Sequence, residues 1–185
     1  LPIAETGYIW SQKMVEEKPI VFVVDDDPSI RESLSLLLSS AGYSVNTFAS
    51  AKEFLESEHS TTGPACLVLD VKMPGLSGLD LQQELRSMNY IIPVIFITGH
   101  GDIPMSVQAM KKRAIDFLSK PFDDRELLDA VKVALLKNSQ ARVNLNEKKH
   151  IMQRLGSLTA REHEILTYLI TGMLNKQIAY ELKIS

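Results

Sequence analysis

Up to about residue 138, the apolar positions of this chain fall into two alternating patterns. Short runs, IVFVV (Ile20 to Val24), YSVNTF (Tyr43 to Phe48), CLVLD (Cys66 to Asp70), PVIFIT (Pro93 to Thr98) and AIDFL (Ala114 to Leu118), are separated by longer amphipathic stretches. Three of the runs are apolar almost throughout, as strands are when both faces of a sheet are covered. The stretches between them carry helix starts. Asp27 before Pro28 fits an N-cap followed by proline at the first helical position; Ile30, Leu34, Leu37 and Ala41 then share a face, and Gly42 closes it. Ser50 with Glu53, and Ser77 with Asp80, have the spacing of capping boxes. Parallel neighbours need crossover connections, so five strands each followed by a helix predict an α/β fold with a doubly wound five-stranded parallel sheet.

After Leu136 the pattern changes. Residues 139–156 are polar, lack proline and carry only spaced apolar residues, which predicts a helical linker. Beyond it, Thr159 with Glu162 forms a further capping box, Ile165, Leu166 and Leu169 share a helical face, and Gly172 ends that helix. Asn175 is expected to cap a second helix with Ile178, Ala179 and Leu182 on one side. The expected division is an N-terminal extension without assigned role (1–18), an α/β domain (19–138), the linker (139–156) and a small helical unit (157–185).

The composition changes this picture little. At 185 residues, 45% hydrophobic, 23% charged and with a mean hydropathy of zero, the chain has room for one good core plus a small second unit. No apolar run approaches the roughly 18 residues of a membrane span, and LPIAETGYIWSQKMVEEK lacks the basic start and apolar core of a signal peptide, so a cytoplasmic location is expected. Charge is divided unevenly: residues 20–138 hold 16 acidic and 11 basic residues, residues 139–185 hold 4 and 7, so the tail favours anionic partners. Cys66, the single cysteine, has no internal disulfide partner and reads as a small buried hydrophobe.

The polar residues that end the strands carry the chemistry. In open α/β sheets, ligands bind beyond the carboxyl ends of the strands. There the chain places Asp25, Asp26 and Asp27 after the first run, Asp70 after the third, Thr98 after the fourth and Lys120 after the fifth. Two like charges about 4 Å apart repel by roughly 4 kcal/mol at an effective dielectric of about 20, so a cation must join them. A hard divalent ion and the Lys120 ammonium are the candidates, and carboxylates with such an ion point to phosphoryl chemistry. Asp70, alone at its strand end and followed by the turn-rich VKMPGLSG, is placed to act as a nucleophile forming an aspartyl phosphate. A phosphate-ester hydrolase with an aspartate nucleophile is a rival reading, but such enzymes use a second aspartate two residues further on, and Lys72 stands there.

VVDDD, LDVKMPGLSG, FITGHGD and FLSKPF, in that order and spacing, resemble the four signature segments of the response-regulator receiver domain, a flavodoxin-like (βα)5 fold, over Ile20 to about Leu136. The resemblance implies that Asp25 and Asp26 are an acidic pair holding Mg²⁺ (or Mn²⁺), Asp26 the more direct ligand. It makes Asp70 the phosphoacceptor and a further metal ligand, as is the backbone carbonyl of Lys72. Thr98 and Lys120 would bind phosphoryl oxygens, the Lys120–Pro121 bond would be cis, and Phe117 would occupy an aromatic switch position. Asp27 reads as a helix cap only, and His100 as a solvent-facing loop residue. Lys112 and Arg113 depart from the Ala-Gly that often precedes the fifth strand of such domains.

LTAREHEILTYLITGMLNKQIAYELKIS resembles the start of the LuxR-type helix-turn-helix, and the whole chain is similar to FixJ-type two-component transcriptional regulators, the styrene-response regulators among them. The reading helix of that arrangement would follow ELKIS, so residues 157–185 are expected to hold an incomplete DNA-binding unit. The resemblance implies a regulator, catalysing only its own phosphotransfer and dephosphorylation, with a sensor histidine kinase and DNA as partners and a homodimer on phosphorylation. A receiver without DNA-binding output, serving only interaction or a phosphorelay, is the alternative.

Overall fold

The computed structural model describes residues 18–58, 61–99 and 115–182. Five parallel strands, β1 (Ile20–Val24), β2 (Ser44–Phe48), β3 (Ala65–Asp70), β4 (Val94–Thr98) and β5 (Asp116–Ser119), form one sheet in the order β2-β1-β3-β4-β5. The helices described with them are α1 (Pro28–Ser40), α2 (Ala51–Glu56), α3 (Gly78–Ser87) and the long α4 (Asp124–Gly156). The chain divides into two compact units between Gln140 and Ala141; the second adds α5 (Ala160–Ile170) and α6 (Asn175–Glu181) to the end of α4.

Alternate residues of the three inner strands feed two separate cores. Phe22, Val24, Leu67, Leu69, Val94 and Phe96 pack with Ala51 and Phe54 of α2 and Leu81 and Leu85 of α3. Val21, Val23, Cys66, Val68, Ile95 and Ile97 pack on the other side with Leu34 and Leu38 of α1 and Leu127, Val131 and Ala134 of α4. Strands covered on both faces have no polar side to present, which is why their sequences read as unbroken apolar runs. The edge strand β2 keeps Asn46 and Thr47 exposed, and its sequence is correspondingly mixed.

The helix starts follow local hydrogen-bond chemistry. Asp27 caps α1 by accepting from the Ser29 amide at 2.8 Å, with Pro28 in the first turn, and Gly42 just past the end takes φ +92. Ser77 and Asp80 make a reciprocal capping box at α3. At α2, Ser50 accepts from the Glu53 amide, but the Glu53 carboxylate reaches back one residue further, to the Ala49 amide.

Differences from the sequence expectation are small and have local causes. The fifth strand runs from Asp116 to Ser119, two residues later than its apolar run began; Ala114 lies outside the described residues. Leu38, not Leu37, is the fully buried residue in the last turns of α1, because the buried face steps by four from Leu34. His100, Lys112 and Arg113, and the 1–17 part of the expected extension, lie outside the described residues.

In the second unit, Thr159 and Glu162 form a reciprocal capping box at α5, and the exposed Glu162 carboxyl is held below its usual range by the hydrogen bonds from Thr159. Gly172 follows the helix at φ +81. The expected cap at Asn175 is not formed. Leu174 is the cap residue and Asn175 already lies within α6, while the Gln177 side-chain oxygen accepts from the Leu174 amide at 2.9 Å. With glutamine at the third helical position reaching back to the Leu174 amide, Leu174 takes the cap position and the helix begins at Asn175. Ile178 and Leu182 are buried, and the Arg161 guanidinium donates to the Leu182 carbonyl. No described helix is long and apolar enough to cross a membrane.

Candidate functional site

Register brings the carboxylates together. β1 and β3 are adjacent and pair Val24 with Leu69, so the next residues on each strand, Asp25 and Asp70, emerge side by side at the carboxyl edge. Parallel neighbours lie about 4.8 Å apart. Asp26 joins them, and an oxygen from each of Asp25, Asp26 and Asp70 lies within 4.8 Å of the others. Asp25 and Asp70 are buried, whereas Asp26 faces solvent.

Lys120 is the cation at this cluster. Its Nζ donates to Asp25 Oδ2 at 2.7 Å and to Asp70 Oδ1 at 3.2 Å. The Lys120 amide donates to the Thr98 carbonyl at 2.6 Å, and the Lys120–Pro121 bond is cis. Thr98 itself is buried at the end of β4, on the strand next to that of Asp70. Phe117 is half-buried on β5, pairs in register with Phe96, and packs on the core that also contains Phe22 and Phe54. Lys72 is exposed in the loop that follows β3.

The electrostatics of the nucleophile candidate are finely opposed. Burial pushes the Asp70 carboxyl up; Lys120 pulls it down, Asp25 and Asp26 push it up again, and the net shift is upward. For Lys120, burial works against the charged form, but the hydrogen bond to Asp25 and the charge of Asp70 outweigh it, and its pKa rises. Asp25 is engaged on both oxygens, by Lys120 and by the Asp27 amide at 2.9 Å. Asp70 meets Lys120 through Oδ1 alone, whereas Asp25 uses both of its oxygens. Three clustered carboxylates on oxygen chemistry alone suit a hard dication, and the donor set fits Mg²⁺ or Mn²⁺.

Two residues that shape this site carry no obvious motif signal. Arg31, one turn into α1, donates to the Asp25 carbonyl at 2.7 Å and so steadies the end of β1. Gly78, the first residue of α3, lies so close to the end of β3 that a Cβ there would stand 2.2 Å from the Asp70 carbonyl oxygen. A glycine at the start of a helix whose cap and third residue are otherwise good formers is the one hint the sequence contains. Cys66 is fully buried in β3 and burial pushes its thiol up to about 12, which leaves it unreactive.

Comparison with known proteins agrees with this geometry. Residues 21–132 match the response regulator receiver domain, and residues 156–185 match the bacterial regulatory proteins of the luxR family. Nodulation protein W of Bradyrhizobium diazoefficiens is 51% identical over 165 residues, covering 89% of this chain and 72% of that protein. The response regulator protein TodT of Pseudomonas putida is 44% identical over 172 residues, covering 93% and 75%. Among solved structures, the response regulator StyR aligns with a TM-score of 0.81 at 50% identity, over 91% of this chain and 84% of that one. Full-length FixJ from B. japonicum aligns with a TM-score of 0.62 at 39% identity, over 90% and 81%. The luxR match decides against a receiver without DNA-binding output. With a receiver sheet that gathers its acidic cluster at one edge and a luxR-type segment after it, the chain belongs to the two-component response regulators that control transcription through a LuxR-type DNA-binding domain.

Proposed function

We propose that Asp70 is the phosphoacceptor, taking a phosphoryl group from a sensor histidine kinase. The observation that carries this is the pairing of Asp70 with Lys120 at 3.2 Å inside a three-carboxylate cluster. In the transfer, an Asp70 carboxylate oxygen forms the new bond to phosphorus while the P–N bond to the kinase imidazole breaks and that nitrogen keeps the electron pair. Asp25, Asp26, Asp70 and the Lys72 carbonyl would hold Mg²⁺ or Mn²⁺. An ion held there would supply positive charge against that of the phosphoryl group. Lys120 and the Thr98 hydroxyl then take phosphoryl oxygens, and the same lysine stabilises the acyl phosphate until water removes it.

A phosphoryl group that draws Thr98 and Lys120 inward favours one of two pre-existing arrangements of the face around Phe117. The half-burial of Phe117 at an edge strand supports it as the movable element. The consequence is a homodimer in the cytoplasm acting on DNA through the C-terminal domain. The test is incubation with acetyl phosphate and Mg²⁺, followed by intact mass. The wild type should gain one phosphoryl group and Asp70→Asn none, with its circular dichroism unchanged. Labelling of Asp70→Asn at the wild-type level would show that another carboxylate is the acceptor.

A further inference from the structure

The positive charge of the C-terminal unit sits on one element. In residues 139–156 four basic residues, Arg142, Lys148, Lys149 and Arg154, face a single acidic one, Glu147. In residues 157–185 the three basic residues Arg161, Lys176 and Lys183 are matched by Glu162, Glu164 and Glu181. Residues 157–185 thus carry no net charge, and the excess of cations over residues 139–185 lies at the end of α4.

On that helix two of the four cations, Arg142 and Lys149, share a face. Arg142, Asn146, Lys149 and Gln153 are spaced by four, three and four residues, which places them along one face. Asn146, Lys149 and Gln153 are exposed and Arg142 is half-exposed. Glu147, five residues beyond Arg142, lies about 140° around the helix and does not neutralise that face. All four side chains are donors of the kind that bind phosphate oxygens, and none has sequence to read. At 1.5 Å per residue the face is about 16 Å long, which spans roughly five nucleotides of one DNA strand at about 3.4 Å each.

We infer that the Arg142–Gln153 face of α4 is a sequence-independent contact surface for the phosphates of duplex DNA. The inference rests on the DNA-binding assignment of residues 156–185, because it places a second, purely electrostatic contact in the same compact unit.

The salt dependence of binding tests it. Fluorescence anisotropy with a random-sequence duplex, from about 50 to 200 mM salt, would compare the 185-residue chain with two double variants of equal net charge. One is Arg142→Gln with Lys149→Gln; the other is Lys52→Gln with Lys132→Gln, two exposed lysines of the receiver unit. Each phosphate contact contributes a slope of about −0.9 to log K against log salt. The first variant should flatten the wild-type slope by about 1.8 and the second should leave it unchanged. Equal slopes for the two variants would assign the effect to overall charge, and an unchanged slope in the first, or no wild-type binding at the low-salt end, would equally overturn the inference. Acetyl phosphate labelling of the same samples reads the Asp70 proposal separately, and its failure leaves this comparison intact.

Discussion

A methyl group at Gly78 measures how closely the start of α3 is packed on the strand that carries Asp70. The added Cβ would stand 2.2 Å from the Asp70 carbonyl oxygen and 3.0 Å from Leu69 Cγ. Carbon and carbonyl oxygen normally approach no closer than about 3.3 Å, so helix and strand end must separate by about 1 Å. The Gly78 amide also donates to the Val71 carbonyl at 3.1 Å, a bond the displacement would weaken. Overpacking of this kind costs about 1–3 kcal/mol and the weakened bond about 0.5–1.5, against which the better helix propensity of alanine returns up to about 1. The net loss for Gly78→Ala is about 1–3 kcal/mol, or a fall of roughly 1 M in urea midpoint at a typical slope.

Two other glycines serve as controls because their surroundings are open. Gly156→Ala meets nothing within 4 Å and has ordinary backbone angles at the end of α4, so it should be neutral or stabilising by up to about 1 kcal/mol. Gly75→Ala also meets nothing, but its φ of +80 is left-handed, which costs an alanine about 1–2 kcal/mol without pressing on Asp70. Urea titration followed by circular dichroism gives the stabilities, and acetyl phosphate labelling gives the site. A displacement of about 1 Å at a reacting group can cost up to about 100-fold in rate, so Gly78→Ala should slow labelling far more than Gly75→Ala for a similar loss of stability. A Gly78→Ala protein with wild-type midpoint and wild-type labelling would refute the packing argument.

Three further outcomes are expected. Asn138→Ala removes the side-chain oxygen that accepts from the buried Ala65 amide at 3.0 Å, and should cost about 1–3 kcal/mol in urea titration together with faster hydrogen exchange at Ala65; unchanged exchange would count against the contact. Asp70→Asn should be more stable than wild type at pH 7, because burial raises the Asp70 pKa and the folded state therefore disfavours its charge. That advantage should shrink as pH falls through the raised value and Asp70 itself becomes neutral; a gap that widens toward acid would reverse the sign of the reasoning. Lys120→Met leaves the buried Asp25 without its cation and should destabilise by up to about 3 kcal/mol at pH 8. Since the folded Lys120 pKa is raised, the contribution is fully present below the ordinary lysine value of about 10.4 and is lost progressively as pH rises from there through the raised folded value, so a gap between the two midpoints that does not narrow from pH 8 to pH 12 would contradict it.

The strands were legible because each inner one is buried on both faces, so nearly every residue in it must be apolar, and the polar residue that follows marks its end. The caps were legible for a different reason. Asp27, Ser77 and Thr159 satisfy amides within three residues of themselves, and contacts that short are written in the spacing. Asn175 misled for the same reason. An asparagine ahead of an apolar face and Gln177 just beyond it compete for one helix start, and the choice between them depends on where the backbone enters the helix rather than on residue type. Arg31, Gly78 and Asn138 were not legible, because each acts on a residue 6, 8 or 73 positions away through a contact that exists only once the sheet and helices are stacked.

The meeting of Asp25 with Asp70 belongs to that second class, although both aspartates stand out in the sequence. Strand assignment alone puts them at the ends of the first and third strands and says nothing of how far apart those strands lie. Adjacency comes from the order β2-β1-β3-β4-β5, in which the chain moves outward from β1 to β2 and then returns to β1's other edge for β3. That reversal makes β1 and β3 neighbours, opens a crevice at their carboxyl ends, and sets Asp25 beside Asp70 by register. The next steps outward, to β4 and β5, carry Thr98 and Lys120 to the same edge, and the lysine chain is long enough to cross back over β4 to both carboxylates. A sheet built in simple sequence order would have placed β2 between the two aspartates, at about 10 Å rather than one strand spacing, and Lys120 could not have bridged them.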